Sequence, residues 1–144
     1  MLVDSHHHLW NLSEVHYPWL MEKGATRFFG DPTPIQRNYL LDEHISKLEP
    51  FKFNASVHVQ VGAKDGWQEA KWIDQIATNS KNWKIVQVAF CDLAAPDFLD
   101  QINKLSKFTS LRGVRQIIGR AEKEDTQTGT NNLLYDPKFL DGLK

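Results

Sequence analysis

The chain has 144 residues, 41% of them hydrophobic, with 17 basic against 18 acidic side chains and a net charge of −1. That length supports one domain with a real core, and balanced charge without a basic stripe argues against nucleic acid or anionic membrane surfaces as partners. No apolar run approaches the ~20 residues of a bilayer span, no signal-peptide pattern opens the chain, and the single Cys91 allows no internal disulfide, so a cytoplasmic protein is expected.

Met1–Ser5 is expected to form the first strand, running into Asp4-Ser5-His6-His7-His8. On an extended strand Asp4, His6 and His8 point the same way, and His7 faces away and reads as structural. Two imidazoles two residues apart can share a divalent cation or grip one anionic substrate group. The alternatives are a polar turn or a purification-tag remnant, though tags rarely sit in a strand-like segment followed by a residue such as Trp10. From Asn11 to about Asn38 the chain reads as a long loop, punctuated by Pro18, Gly24, Gly30, Pro32 and Pro34. Its length favours a functional excursion.

Leu41, Ile45 and Leu48 fall at helical spacing before Pro50. Asn54–Val61 alternates as a second strand, with Val57, Val59 and Val61 on one face and His58 and Gln60 on the other. Asp65–Asn79 predicts a helix with Trp67, Ala70, Ile73, Ile76 and Ala77 as its apolar stripe. Lys84–Leu93 is an almost wholly apolar third strand in which Cys91 reads as a small buried residue. Pro96 suits a helix start, and Phe98, Leu99, Ile102 and Leu105 supply the inner face. Leu111–Ile118 is the fourth strand, Gly119–Asn132 a polar mobile loop, and Asp136-Pro137 a capped helix start.

Four strand–helix units imply a parallel α/β sheet with right-handed crossovers. Periodicity does not choose between a doubly wound sheet and a (β/α)8 barrel. The segments Val3-Asp4-Ser5-His6-His7-His8-Leu9-Trp10 with Tyr17-Pro18-Trp19-Leu20, Val57–Val61, Val88–Leu93 and Leu111–Gln116 together resemble the amidohydrolase-related (amidohydrolase 2 type) TIM-barrel hydrolases, closest to sugar lactonases such as fuconolactonase, rhamnonolactonase and pyrone-dicarboxylate lactonase. The resemblance implies a TIM barrel. Such barrels take about 250 residues, so residues 1–144 are expected to be the N-terminal half of one domain, with the first four βα units.

Active sites of these barrels gather at the carboxyl ends of the strands. The resemblance implies that His6 and His8 bind a divalent metal such as zinc or contact substrate directly, since some relatives work without metal. It also matches Gln60, Asp92 and Arg115 to substrate-binding positions. Each has a plainer alternative: Gln60 as a strand cap, Asp92 as a turn former, Arg115 as the partner of an internal carboxylate. Trp10 and Tyr17 offer flat walls for a ring-shaped substrate, or core packing for Trp10. Arg112 falls on the face opposite Arg115. His58 reads as a satisfied strand histidine, and His16 and His44 as surface residues. Many relatives have His where Gln116 stands, and an amide cannot transfer protons. The catalytic base is expected from later strands.

The expected function is hydrolysis of a small lactone. A decarboxylase of the same superfamily and a fragment that only folds or associates are the alternatives. The expected partners are a lactone or sugar-acid substrate and either a second copy of the chain or the other half of the barrel.

Overall fold

A computed structural model describes residues 1–24, 27, 29–120 and 131–144. Its centre is a four-stranded parallel sheet in the order β1 (Val3–His7), β2 (Ala55–Val59), β3 (Lys84–Phe90) and β4 (Leu111–Arg115). Helices α2 (Leu41–Leu48), α3 (Gly66–Asn79) and α4 (Phe98–Leu105) connect the strands, after a short α1 (Pro18–Met21). The loop expected over residues 11–38 therefore contains a helical turn at α1 and another at Thr33–Ile35.

Strand order equals chain order, so every crossover steps the same way and no reversal of winding occurs. A doubly wound sheet reverses at its switch point and carries helices on both faces. Here one face receives the helices. His7 stacks on His44 of α2 at 4.2 Å, Gln87 Nε2 donates to Ala70 O of α3 at 2.9 Å, and Cys91, buried as expected, packs with Leu105 of α4. Alternation sends Val57, Val86 and Val88 to the opposite face, where they are only half-buried.

Two apolar clusters fill the layer between sheet and helices. Leu9, Tyr17, Leu20, Trp72, Ile73, Trp83 and Ile85 pack beneath β1–β3, and Ala70, Ala89, Cys91, Leu93, Leu105 and Phe139 beneath β3 and β4. Ser56 and Gln87, polar strand residues in this layer, are satisfied, as burial demands. Trp83 Nε1 donates to Ser56 Oγ at 2.8 Å, and Gln87 Nε2 also donates to Ser110 Oγ at 2.8 Å.

Several expectations are corrected. The first strand begins later and extends to His7, and its pairing with β2 shifts register between Asp4 and His7. Such an irregularity breaks the two-residue alternation. Asp4 consequently lies with the helix layer, its Oδ2 3.3 Å from His44 Nε2, and does not share a face with His6 and His8. His44 is not a surface residue; it is 5% exposed under the sheet. On α3, Trp67 stays 43% exposed, tilted against Phe108 with the Lys71 ammonium over its ring. Helix α4 starts at Phe98, and Leu99 is exposed because Phe98, Ile102 and Leu105 already define its inner stripe.

The second, third and fourth strands end at Val59, Phe90 and Arg115, short of the expected ends. Beyond β4, Gly119–Arg120 (β5) and Asn131–Asn132 (β6) pair antiparallel where a loop is expected; residues 121–130 of that loop lie outside the described residues. Asp136 caps α5 (Pro137–Gly142) through Lys138 N–H, as its sequence predicts. Among the described residues no helix is long and apolar enough to cross a membrane.

Candidate active site

The carboxyl end of β1 carries the histidine pair. The His6 and His8 rings lie edge-to-face with centroids 5.0 Å apart, so both reach one small region. His8 Nδ1 is 2.7 Å from the Val59 carbonyl. A carbonyl only accepts, so neutral His8 carries its proton on Nδ1 and leaves Nε2 bare. Among the described residues that nitrogen has no hydrogen-bond partner, and it is not sealed from solvent. Burial holds the His8 pKa below its ordinary value against the opposing Val59 hydrogen bond, with further repulsion from His58, His6 and the Arg115 cation. His8 is therefore neutral near pH 7. His6 is exposed, and its backbone N–H donates to Asp4 Oδ1 at 3.3 Å.

Arg115, the last residue of β4, extends its guanidinium past β3 and donates from Nη1 to the Gln60 carbonyl at 3.1 Å. Its charge is felt at His8, which brings the ends of β1, β2 and β4 into one electrostatic neighbourhood. Gln60 itself is 3% exposed. Its Oε1 accepts from Gly62 N–H at 2.8 Å, which stabilises a turn whose glycine has φ +81° and packs against Trp19. The Gln60 side chain thus shapes the rim while its backbone receives Arg115.

Asp92 follows β3. Its Oδ1 accepts from Ala94 N–H at 3.1 Å and from Gln116 Nε2 at 2.9 Å. Gln116 Oε1 in turn accepts from Leu93 N–H at 2.8 Å, so this amide clamps the ends of β3 and β4 together. Both groups of an amide, one donor and one acceptor, are used in that clamp. Arg112 is exposed and bonds its own turn at Thr109 O and Leu111 O.

The two proposed aromatic walls separate. Trp10 is half-buried, with Nε1 donating to Arg37 O at 2.6 Å and its ring tilted against Tyr39. Tyr17 is fully buried within the first apolar cluster and does not face the mouth. Burial and the nearby Glu69 carboxylate push its phenol pKa upward, so it stays protonated.

Glu69 is the residue the sequence reading missed. It is 2% exposed on α3, accepting on Oε1 from Val61 N–H at 3.0 Å and standing 3.3 Å from His58 Nε2. The available signal was its spacing, since Glu69, Trp72, Ile73 and Ile76 fall at i, i+3, i+4 and i+7. His58, also buried, accepts from Leu9 N–H on Nδ1, as a satisfied strand histidine should.

For a metal, the mouth offers two imidazoles. The carboxylate of the same motif, Asp4, is turned to His44, and among the described residues no three His, Cys, Asp or Glu side chains are placed to hold one ion. The donor set of the described residues does not fit a closed tetrahedral zinc site. The arrangement can instead hold a polar ligand between a guanidinium donor and a bare imidazole nitrogen.

No family model matches the chain. The uncharacterized protein y4mH of Sinorhizobium fredii (strain NBRC 101917 / NGR234) is 29% identical over 146 residues, covering 99% of this chain and 49% of that protein. The chain thus spans about half the length of this curated relative. Among solved structures it is similar to Amidohydrolase 2 from Bifidobacterium longum subsp. infantis, at 21% identity and a TM-score of 0.49, over 64% of this chain and 33% of the other.

Proposed function

We propose that this chain is the first half of a (β/α)8 barrel of the amidohydrolase 2 type whose complete form hydrolyses a small lactone. The observation that carries this reading is the meeting of His6, His8 and Arg115 at the carboxyl ends of sequentially wound parallel strands, where barrels of this kind do their chemistry. The four sequence segments that resemble sugar lactonases add to it.

In the reaction, water adds to the lactone carbonyl carbon, the ring C–O bond breaks, and a hydroxy acid leaves. Arg115 supplies fixed positive charge to the oxygen that becomes anionic, the kind of preorganised stabilisation that dominates acyl transfer. His6 and His8 hold the ring beside it. Asp92, clamped by Gln116, stands at the same rim as a further substrate contact. The proton acceptor for water comes from the half of the barrel outside this chain.

The isolated 144 residues should therefore show no measurable turnover of a panel of sugar lactones, because the base is absent from the cluster. Turnover should appear when a polypeptide carrying four further βα units is supplied. Robust hydrolysis by the chain alone, abolished by His6→Ala, would place the machinery within these residues. Carbon dioxide release without lactone consumption in the completed protein would assign the decarboxylase reading instead.

Assembly follows from the same geometry. Among the described residues β1 and β4 each have one unpaired edge, and such edges recruit other strands. The half-buried Val57, Val86 and Val88 face adds an apolar cost of about 25 cal/mol per Å² left in water. Two copies about a two-fold axis, or a complementary half, would cover both. Sedimentation of the purified chain should report a species larger than 16.6 kDa, whereas a monomer at tens of micromolar would refute this.

A further inference from the structure

Two histidines flank the junction of β1 and β2, and their hydrogen bonds assign them opposite tautomers. Leu9 N–H donates to His58 Nδ1 at 3.2 Å, so Nδ1 is bare and His58 carries its proton on Nε2, directed at Glu69 Oε1 3.3 Å away. One residue before Leu9, just past the end of β1, His8 Nδ1–H donates to the carbonyl of Val59, the residue after His58 on β2, at 2.7 Å. Residues 8 and 9 are therefore held from both sides by residues 58 and 59. Glu69 locks this clamp from α3, because the oxygen facing His58 also accepts from Val61 N–H. Nothing in the clamp except His8 belongs to the mouth.

We propose that the buried Glu69–His58 pair is a positioning device that presents His8 to the mouth as its Nδ1–H tautomer, with Nε2 as a hydrogen-bond acceptor. The consequence is a division of roles. His8 accepts from a hydroxyl of the ring, and Arg115 donates to the carbonyl or carboxylate, so the site selects a ring bearing a free hydroxyl beside its acyl group. An analogue without the hydroxyl would leave the bare nitrogen unpaired, which a site built for hydrogen bonding rejects strongly. This role rests on the proposed function, but the tautomer does not.

Long-range 15N–1H spectra distinguish protonated from bare ring nitrogens and test the device in the intact chain. In the unmodified protein His8 should be almost wholly Nδ1–H and His58 Nε2–H, with exposed His16 as the internal reference. His58→Asn places an amide oxygen where Nδ1 accepts from Leu9, and should preserve the His8 tautomer. His58→Leu removes the acceptor, and the His8 Nδ1–H to Nε2–H ratio should fall at least fivefold toward that of His16. A purely structural role would lower the melting temperature of His58→Leu and leave that ratio unchanged, which would overturn the proposal. So would a mainly Nε2–H His8 in the unmodified chain. Should His58→Leu not fold, Glu69→Gln and Glu69→Ala read the same quantity: Gln keeps an acceptor oxygen and the tautomer, Ala loses it, and identical spectra overturn the proposal. Failure of hydroxylactones to bind would count against the function while leaving these spectra as they are.

Discussion

Glu69→Ala should be among the most destabilising single substitutions in this chain, lowering unfolding free energy by about 3 kcal/mol or more in urea titrations. The carboxylate is 2% exposed and serves two buried donors, Val61 N–H and His58 Nε2–H. Removing it strands both away from water, and each orphaned donor costs about 1–3 kcal/mol. A domain of this size has only about 5–15 kcal/mol in hand, so the loss is a large fraction of the whole. Glu69→Gln separates hydrogen bonding from charge. It retains an oxygen acceptor of the same reach, and the expected cost is below about 1 kcal/mol. If both variants unfold at the same urea concentration as the unmodified protein, the end of β2 is not held by this side chain.

How much of this was legible in the sequence depends on whether the determinant is local. The succession of four strands and their helices followed from period and turn residues, and the Asp136 cap stands where the sequence puts it. The strand ends did not, because their limits are set in space. The chain leaves β2 after Val59 where Gln60 folds back onto Gly62 N–H and Trp19 Nε1 takes the Val61 carbonyl. Strict alternation grouped Asp4 with His6 and His8, but a register shift against β2 turned the carboxylate to a histidine 40 residues away in sequence. Tyr17 looked like a wall of the mouth by its position in a motif, and burial placed it in the core. The adjacency of His6 and His8 could be read because it is a matter of neighbours on one strand end, whereas the approach of Arg115 required the sheet.

Acid should destabilise the protein as pH falls below about 6.5, and His7 is the main reason. His7 is buried, stacked on His44 and edge-on to His58 at 5.7 Å, and among the described residues neither of its ring nitrogens has a hydrogen-bond partner of good geometry. Burial above all, then repulsion from His44, His58 and His8, outweighs an opposing contact with the His8 backbone and pushes its pKa down to about 2 from an ordinary 6.5. Between those values the unfolded chain binds a proton that the folded chain refuses, so stability rises with pH and is lost as pH falls below about 6.5. The slope from this group alone is about 1.4 kcal/mol per pH unit, or about 2–3 kcal/mol by pH 4.5. His8 and His44 are lowered chiefly by burial and act with the same sign. The partly exposed Glu43 carboxylate, drawn down to about 2 by Arg37 and Lys47, contributes in a separate window below about pH 4.5. His7→Phe removes the titration and both unpaired nitrogens while keeping a flat ring against His44. Melting temperature as a function of pH should therefore fall less steeply for this variant between pH 6.5 and 4.5 than for the unmodified protein. Parallel curves across that interval would show that His7 is not the group that acid must charge.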